Sequence, residues 1–143
     1  MWDSLAKQKT IESILHDKGL AKVGDNIVNL CYSLAKSIVL STATGEKVRD
    51  SVLARAIRAT PVYSKMRRRT DIGGAGDAYE AIIAWLWLNQ KVTITELVQN
   101  IVNNLQIDST MNRRQEGEIA AQAFQILLEH LLDMLPEESS KGE

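Results

Sequence analysis

Two short stretches carry residue types at spacings that could do chemistry. In Lys22-Val23-Gly24-Asp25-Asn26-Ile27-Val28-Asn29-Leu30, Asp25 and Asn29 stand four apart; in Gly73-Gly74-Ala75-Gly76-Asp77-Ala78-Tyr79-Glu80-Ala81-Ile82-Ile83, Asp77 and Glu80 stand three apart. On a helix either interval brings the two side chains to one face. Carboxylates gathered together repel by up to about 4 kcal/mol per close pair at an effective dielectric near 20, so a cation is their natural companion. A hard divalent ion takes oxygen ligands and keeps several waters, and such an ion at a phosphodiester can supply the attacking hydroxide and stabilise the leaving oxygen. The competing role is structural. An acid at a helix start satisfies free N–H groups and complements the dipole, and Asp77 with Glu80 has the spacing of a capping box. Taken singly, neither stretch decides between the two.

This chemistry asks for no nucleophilic side chain. His16 and His130 lie on helices without evident partners and read as structural or exposed. Cys31 is the single cysteine, so it can form no intrachain disulfide and no cysteine zinc cluster. It reads as a small buried apolar residue.

The elements that must position these groups are helical. The chain has 143 residues, 45% apolar and 24% charged, enough for one domain with a sizeable core. Periodicity predicts an all-α bundle of roughly six to seven helices, with no run of strands. An amphipathic helix is expected over 3–17, and another over 24–40 with Ile27, Leu30, Cys31, Leu34 and Ile38 facing a core. A third is expected over 47–58, followed by a break at Pro61 and a short element to Arg69. The glycines at 73, 74 and 76 read as a loop. Residues 77–88 are apolar nearly all round after the first turn and predict the central, most buried helix. Thr93 and Glu96 fit a capping box for the helix that follows, and 110–135 reads as the last and longest helix. One domain over 1–135 with a polar tail at 136–143 is the expected organisation.

No apolar run approaches the roughly 20 residues that a membrane span needs. The start, Met1-Trp2-Asp3-Ser4-Leu5, has no basic-then-apolar leader, so a cytoplasmic protein is expected. The net charge of −1 conceals an asymmetry. Residues 47–69 carry Lys47, Arg49, Arg55, Arg58, Lys65, Arg67, Arg68 and Arg69 against Asp50 alone, whereas 92–143 is strongly acidic. That division suits one face turned to a polyanion and another turned away; it also suits ordinary solvated helix faces.

In order and in helical context, the two acidic stretches together resemble the signatures of the ribonuclease III endonuclease domain. In that family a Leu-Gly-Asp motif opens one helix and an Asp-x-x-Glu-Ala-Leu-Ile-Gly motif opens a later one. Val23-Gly24-Asp25 stands for the first, and Asp77-Ala78-Tyr79-Glu80-Ala81-Ile82-Ile83-Ala84 for the second. Ser51-Val52-Leu53-Ala54-Arg55-Ala56 is similar to the family's connecting helix, and Arg67-Arg68-Arg69-Thr70-Asp71 to the basic stretch ahead of the second motif. The resemblance runs from about residue 18 to about residue 105.

The resemblance implies an endonuclease that hydrolyses double-stranded or structured RNA with magnesium (Mg2+) or manganese (Mn2+), as in the maturation of stable RNA. Carried over residue by residue, Asp25, Asp77 and Glu80 are the metal-binding and catalytic acids. Lys65, Arg67, Arg68 and Arg69 are the first candidates for phosphate contacts, with Arg55 and Arg58 second. Family members are two-fold dimers, so a homodimer is expected. Full-length relatives carry a further glutamate four residues ahead of the first motif aspartate. Here that position is Ala21, as in the compact mini-ribonuclease III branch, which implies weaker metal binding, a single ion, or a preference for manganese. Asp17 and Asp71 are the nearby acids that could make up for it. No double-stranded RNA-binding domain is expected after the helices, which implies that this domain alone holds the RNA. Two other readings stay open: a non-catalytic relative that binds RNA or a ribonucleoprotein, and a helical interaction module whose acids are only caps.

Overall fold

The computed structural model describes residues 1–66 and 71–136. Among them are six α-helices and no strand: α1 (Ile11–Leu15), α2 (Lys18–Leu40), α3 (Asp50–Arg58), α4 (Ile72–Leu88), α5 (Ile94–Asn104) and α6 (Arg113–Leu131). Three short 3-10 helices, Asp3–Leu5, Pro61–Lys65 and Leu132–Met134, complete the path.

Helix α4 is the axis of the bundle. Its sequence is apolar on almost every side, which is stable only when the helix is enclosed. Ala75, Ala78, Tyr79, Ile82, Ile83, Leu86 and Leu88 are all buried. The α2, α3 and α1 helices pack directly on α4, α6 packs on α3 and α5, and α5 packs on α2. Tyr79 crosses the core to donate its O–H to the Phe124 carbonyl, with its ring edge-on to that of Phe124 at 5.7 Å between centroids. A second tie joins α2 to α6: Tyr32 Oη and Lys36 Nζ both donate to Glu116 Oε2, at 2.8 and 2.9 Å.

Every α-helix but α3 starts on a side-chain cap. Thr93 and Glu96 form the expected capping box at α5, and Asn112 with Gln115 forms a second at α6. The other starts depart from the sequence-based expectation. Asp17 caps α2 by accepting from Leu20 N, and Asp71 caps α4 by accepting from Gly74 N at 2.7 Å. Helix α2 therefore begins at Lys18 rather than 24, and α4 at Ile72 rather than 77.

The glycines at 73, 74 and 76 are thus not a loop; they form the first turns of α4. Gly76 is buried there, and a Cβ on it would lie 3.4 Å from the backbone oxygen of Asp50. That is ordinary van der Waals distance, so Gly76 marks where the start of α3 packs beside α4 without being required for it. Other boundaries also move. The expected 3–17 helix is a 3-10 turn, an irregular stretch and the short α1; α3 starts at Asp50, leaving Lys47 in the preceding loop; and the last helix ends at Leu131. On α2, Ile27 and Cys31 face the core, but Leu30, Leu34 and Ile38 do not; they are 49%, 40% and 57% exposed. Arg67, Arg68, Arg69 and Thr70 and residues 137–143, most of the expected tail, lie outside the described residues.

Candidate active site

Because α2 and α4 start earlier than expected, Asp25 and Asp77 stand inside their helices, roughly two turns beyond the caps. Neither satisfies a helix N-terminus, a task already done by Asp17 and Asp71. Those two acids are in turn occupied as caps rather than standing in for the missing glutamate.

One open cavity of about 330 Å³ is lined by Lys18, Ala21, Lys22, Asp25, Lys47, Asp50, Asp77 and Glu80. All three acids picked from the sequence reach it, from two helices. Asp50, at the start of α3, is a fourth that sequence reasoning passed over as a lone acid in a basic segment. The spacing signal gave no way to find it, since it lies 25 residues or more from each of the others and only the packing of α3 on α4 brings it in.

The four are not equivalent. Glu80 is 3% exposed, and its Oε2 has no hydrogen-bond partner. Burial first, and then the carboxylates of Asp25, Asp77 and Asp50, push its carboxyl up to about 9. At neutral pH the free protein therefore holds Glu80 protonated. Asp77 instead meets Lys18, with Nζ 3.0 Å from Oδ2, and Asp25 meets Lys47 at 3.7 Å. Both lysines are mostly exposed, so these pairs are weak and easily opened.

Asn29 shares a face with Asp25, as the four-residue spacing requires. Its Nδ2 donates to Asp25 Oδ1 at 3.3 Å, and its Oδ1 accepts from Val48 N at 2.7 Å. One side chain thereby orients Asp25 and pins the loop that leads to Asp50. Ala21 is buried at the cavity wall.

The donor set is all oxygen, which suits a hard divalent ion, and the unpartnered Glu80 oxygen is a buried acceptor awaiting a cation. Among the described residues, however, no three acidic, histidine or cysteine side chains already stand together closely enough to hold a metal. Closing on an ion would require the lysines to release Asp25 and Asp77, and Glu80 to lose its proton.

The basic candidates are distributed differently from the expectation. Lys65 lines a separate cavity with Ile11, Pro61, Val62 and Leu132. The Arg58 guanidinium carbon lies 5.8 Å from the Tyr63 ring centroid. Arg55 lines a groove between α3 and α6. The cations beside the acids are Lys18, Lys22 and Lys47. His16 ends α1, its Nδ1 2.8 Å from the Glu12 carbonyl oxygen, and the Cys31 thiol is buried and pushed up to about 12 by that burial. No described helix is long and apolar enough to cross a membrane.

Fold and cavity define a class: an all-helical domain with an acid-lined cleft between its central helix and the helices packed on it. A family model described as Ribonuclease III matches residues 18–137, and the chain belongs to the ribonuclease III family, which links it to RNA-related nuclease function. The match takes in α6, beyond the residues that carry the recognisable motifs. No curated protein matches the chain.

Proposed function

We propose that this protein is a metal-dependent endoribonuclease that hydrolyses phosphodiester bonds in double-stranded or structured RNA, with maturation of stable RNA as its setting. The observation that carries this reading is Glu80, a buried carboxyl with an unpartnered oxygen, facing a cavity shared with Asp25, Asp77 and Asp50. Burying such a group without a partner opposes folding, and packing three more acids around it opposes folding further. A site kept against those costs is a candidate for function.

Asp25, Asp77 and Glu80 would hold the ion, with Asp50 beside them and Asn29 fixing the angle of Asp25. A bound divalent ion would supply a water acidified for attack and positive charge for the leaving oxygen. Lys18, Lys22 and Lys47 are placed to meet phosphate oxygens once they leave the acids. The exposed stripe of Leu30, Leu34 and Ile38 on α2, spaced at i, i+4 and i+8, supports a homodimer, since an apolar row of this kind is normally covered.

The test is incubation of the full chain with a labelled RNA duplex and Mg²⁺ or Mn²⁺, alongside thermal melting with and without the ion. Cleavage and a metal-dependent rise in melting temperature, both lost in Asp77→Asn and Glu80→Gln, are expected. No cleavage with either ion, and no shift in melting, overturns the proposal. A second reading, a non-catalytic RNA- or ribonucleoprotein-binding dimer, is favoured by Ala21 at the cavity wall and by the lysines on Asp25 and Asp77. It requires duplex binding that persists in the acid variants of a wild type that does not cut.

A further inference from the structure

A second charged feature lies one residue from the acid cavity. Asp50 faces the acids, while its chain neighbours Arg49 and Ser51 line a groove of about 440 Å³ between α3 and the start of α6. Arg55, Arg113 and Arg114 line it too, and Glu118 is the one acid in its wall. Among the described residues no carboxylate lies within ion-pair distance of any of these four arginines.

The groove is built rather than incidental. The Arg49 guanidinium lies against Gly117 of α6, where a Cβ would overlap Nη2, and it donates to the Arg113 carbonyl at 3.3 Å. Arg113 and Arg114 occupy the first two positions of α6, at the positive end of the helix dipole. Cations there oppose the helix dipole, and they also repel Arg49 and Arg55. An incoming anion reverses both penalties. The planar guanidinium fork matches phosphate oxygens, and the groove continues past Arg55 to Gln122 and Gln125, which can hydrogen-bond to ribose hydroxyls.

We propose that this arginine groove, Arg49, Arg55, Arg113 and Arg114, seats the phosphodiester backbone of duplex RNA beside the scissile bond. The inference rests on the nuclease reading for the identity of the polyanion. It assigns the main phosphate contacts to the α3–α6 groove rather than to Lys65, which lines another cavity.

The test is duplex binding by the full chain in chelator, so that no cleavage occurs, followed across a range of salt concentrations. Arg113→Ala/Arg114→Ala is compared with Lys7→Ala/Lys9→Ala, which removes the same charge from exposed positions outside the groove. The arginine pair should weaken binding about tenfold or more and flatten the log–log salt slope by roughly 1 per arginine. Its melting temperature should be unchanged or higher, because two cations leave the positive end of α6. An arginine variant that binds like the wild type, or a lysine control that loses as much, overturns the groove and leaves the nuclease reading standing. A wild type that does not bind duplex even at low salt overturns both.

Discussion

Gly24 of α2 lies directly against the backbone of Glu80 of α4: a Cβ at position 24 would overlap the Glu80 carbonyl and reach within 3.0 Å of its Cα. The glycine of the first motif thus touches the glutamate of the second, and the contact is backbone on backbone. It sets Asp25, the next residue, beside the buried carboxyl. Unlike a side-chain end, the Glu80 carbonyl belongs to the hydrogen-bonded central helix and cannot step aside.

Gly24→Ala should therefore push α2 and α4 apart and destabilise the fold by about 2 kcal/mol or more. That corresponds to a fall in melting temperature of roughly 4–8 °C for a chain of this size. Thermal unfolding followed by circular dichroism checks it. Melting at the wild-type temperature would mean that the two helices are not in contact there.

Glu80 gives a pH dependence whose sign is fixed. Its carboxyl is raised from 4.5 to about 9 in the folded protein. Between those values the folded state holds a proton that the unfolded state has lost, so this residue makes stability fall as pH rises through that window. Below about 4.5 the penalty is absent, and above about 9 it is constant. Glu80→Gln, which stays neutral, should gain stability over the wild type progressively across the window. Chemical unfolding at pH 5, 7 and 9 measures the difference; a difference independent of pH would contradict it. Because a metal needs the deprotonated carboxylate, Mn²⁺ should raise the wild-type melting temperature more at pH 8 than at pH 6.

Capping and chemistry can be separated by mutation. Asp71→Ala removes the acceptor for Gly74 N and should cost about 1 kcal/mol. Asp25→Asn and Asp77→Asn remove no cap; each gives up a weak, exposed lysine pair and lessens repulsion among the carboxylates of Asp25, Asp50 and Asp77, and should leave stability about unchanged while abolishing cleavage. Unfolding curves and duplex cleavage assays on the same three variants decide the matter. Destabilisation by Asp77→Asn equal to that of Asp71→Ala would return Asp77 to a structural role.

The exposed row on α2 predicts self-association. Leu34→Glu places a charge in the middle of Leu30, Leu34 and Ile38, and should shift the chain toward monomer without loss of helicity. Sedimentation velocity across a concentration series reads the change, and a wild type that is monomeric throughout removes the dimer.

Helix content, the central place of α4 and the α5 capping box were all legible from the chain itself, because periodicity and local capping are short-range effects. Spacing alone left Asp25, Asp77 and Glu80 open between capping and chemistry; their choice came from the resemblance of the two stretches, taken in order, to the ribonuclease III motifs. Where spacing misled, a long-range contact was the reason. Gly73, Gly74 and Gly76 look like a loop until Asp71 caps a helix over them and the start of α3 packs beside Gly76. Leu30, Leu34 and Ile38 look like core until α2 is seen to be covered on one side only.

Residue order alone determined an all-helical chain with Asp77 and Glu80 on one helix face and Asp25 on another helix, since backbone hydrogen bonding and side-chain spacing act within a few residues. Tertiary packing decided that those acids share a cavity, that Asp50 joins them, that Glu80 is kept protonated, and that arginines far apart in the chain form one groove. Electrostatic coupling and burial depend on distance through space, and that distance exists only once α2, α3, α4 and α6 have closed on one another.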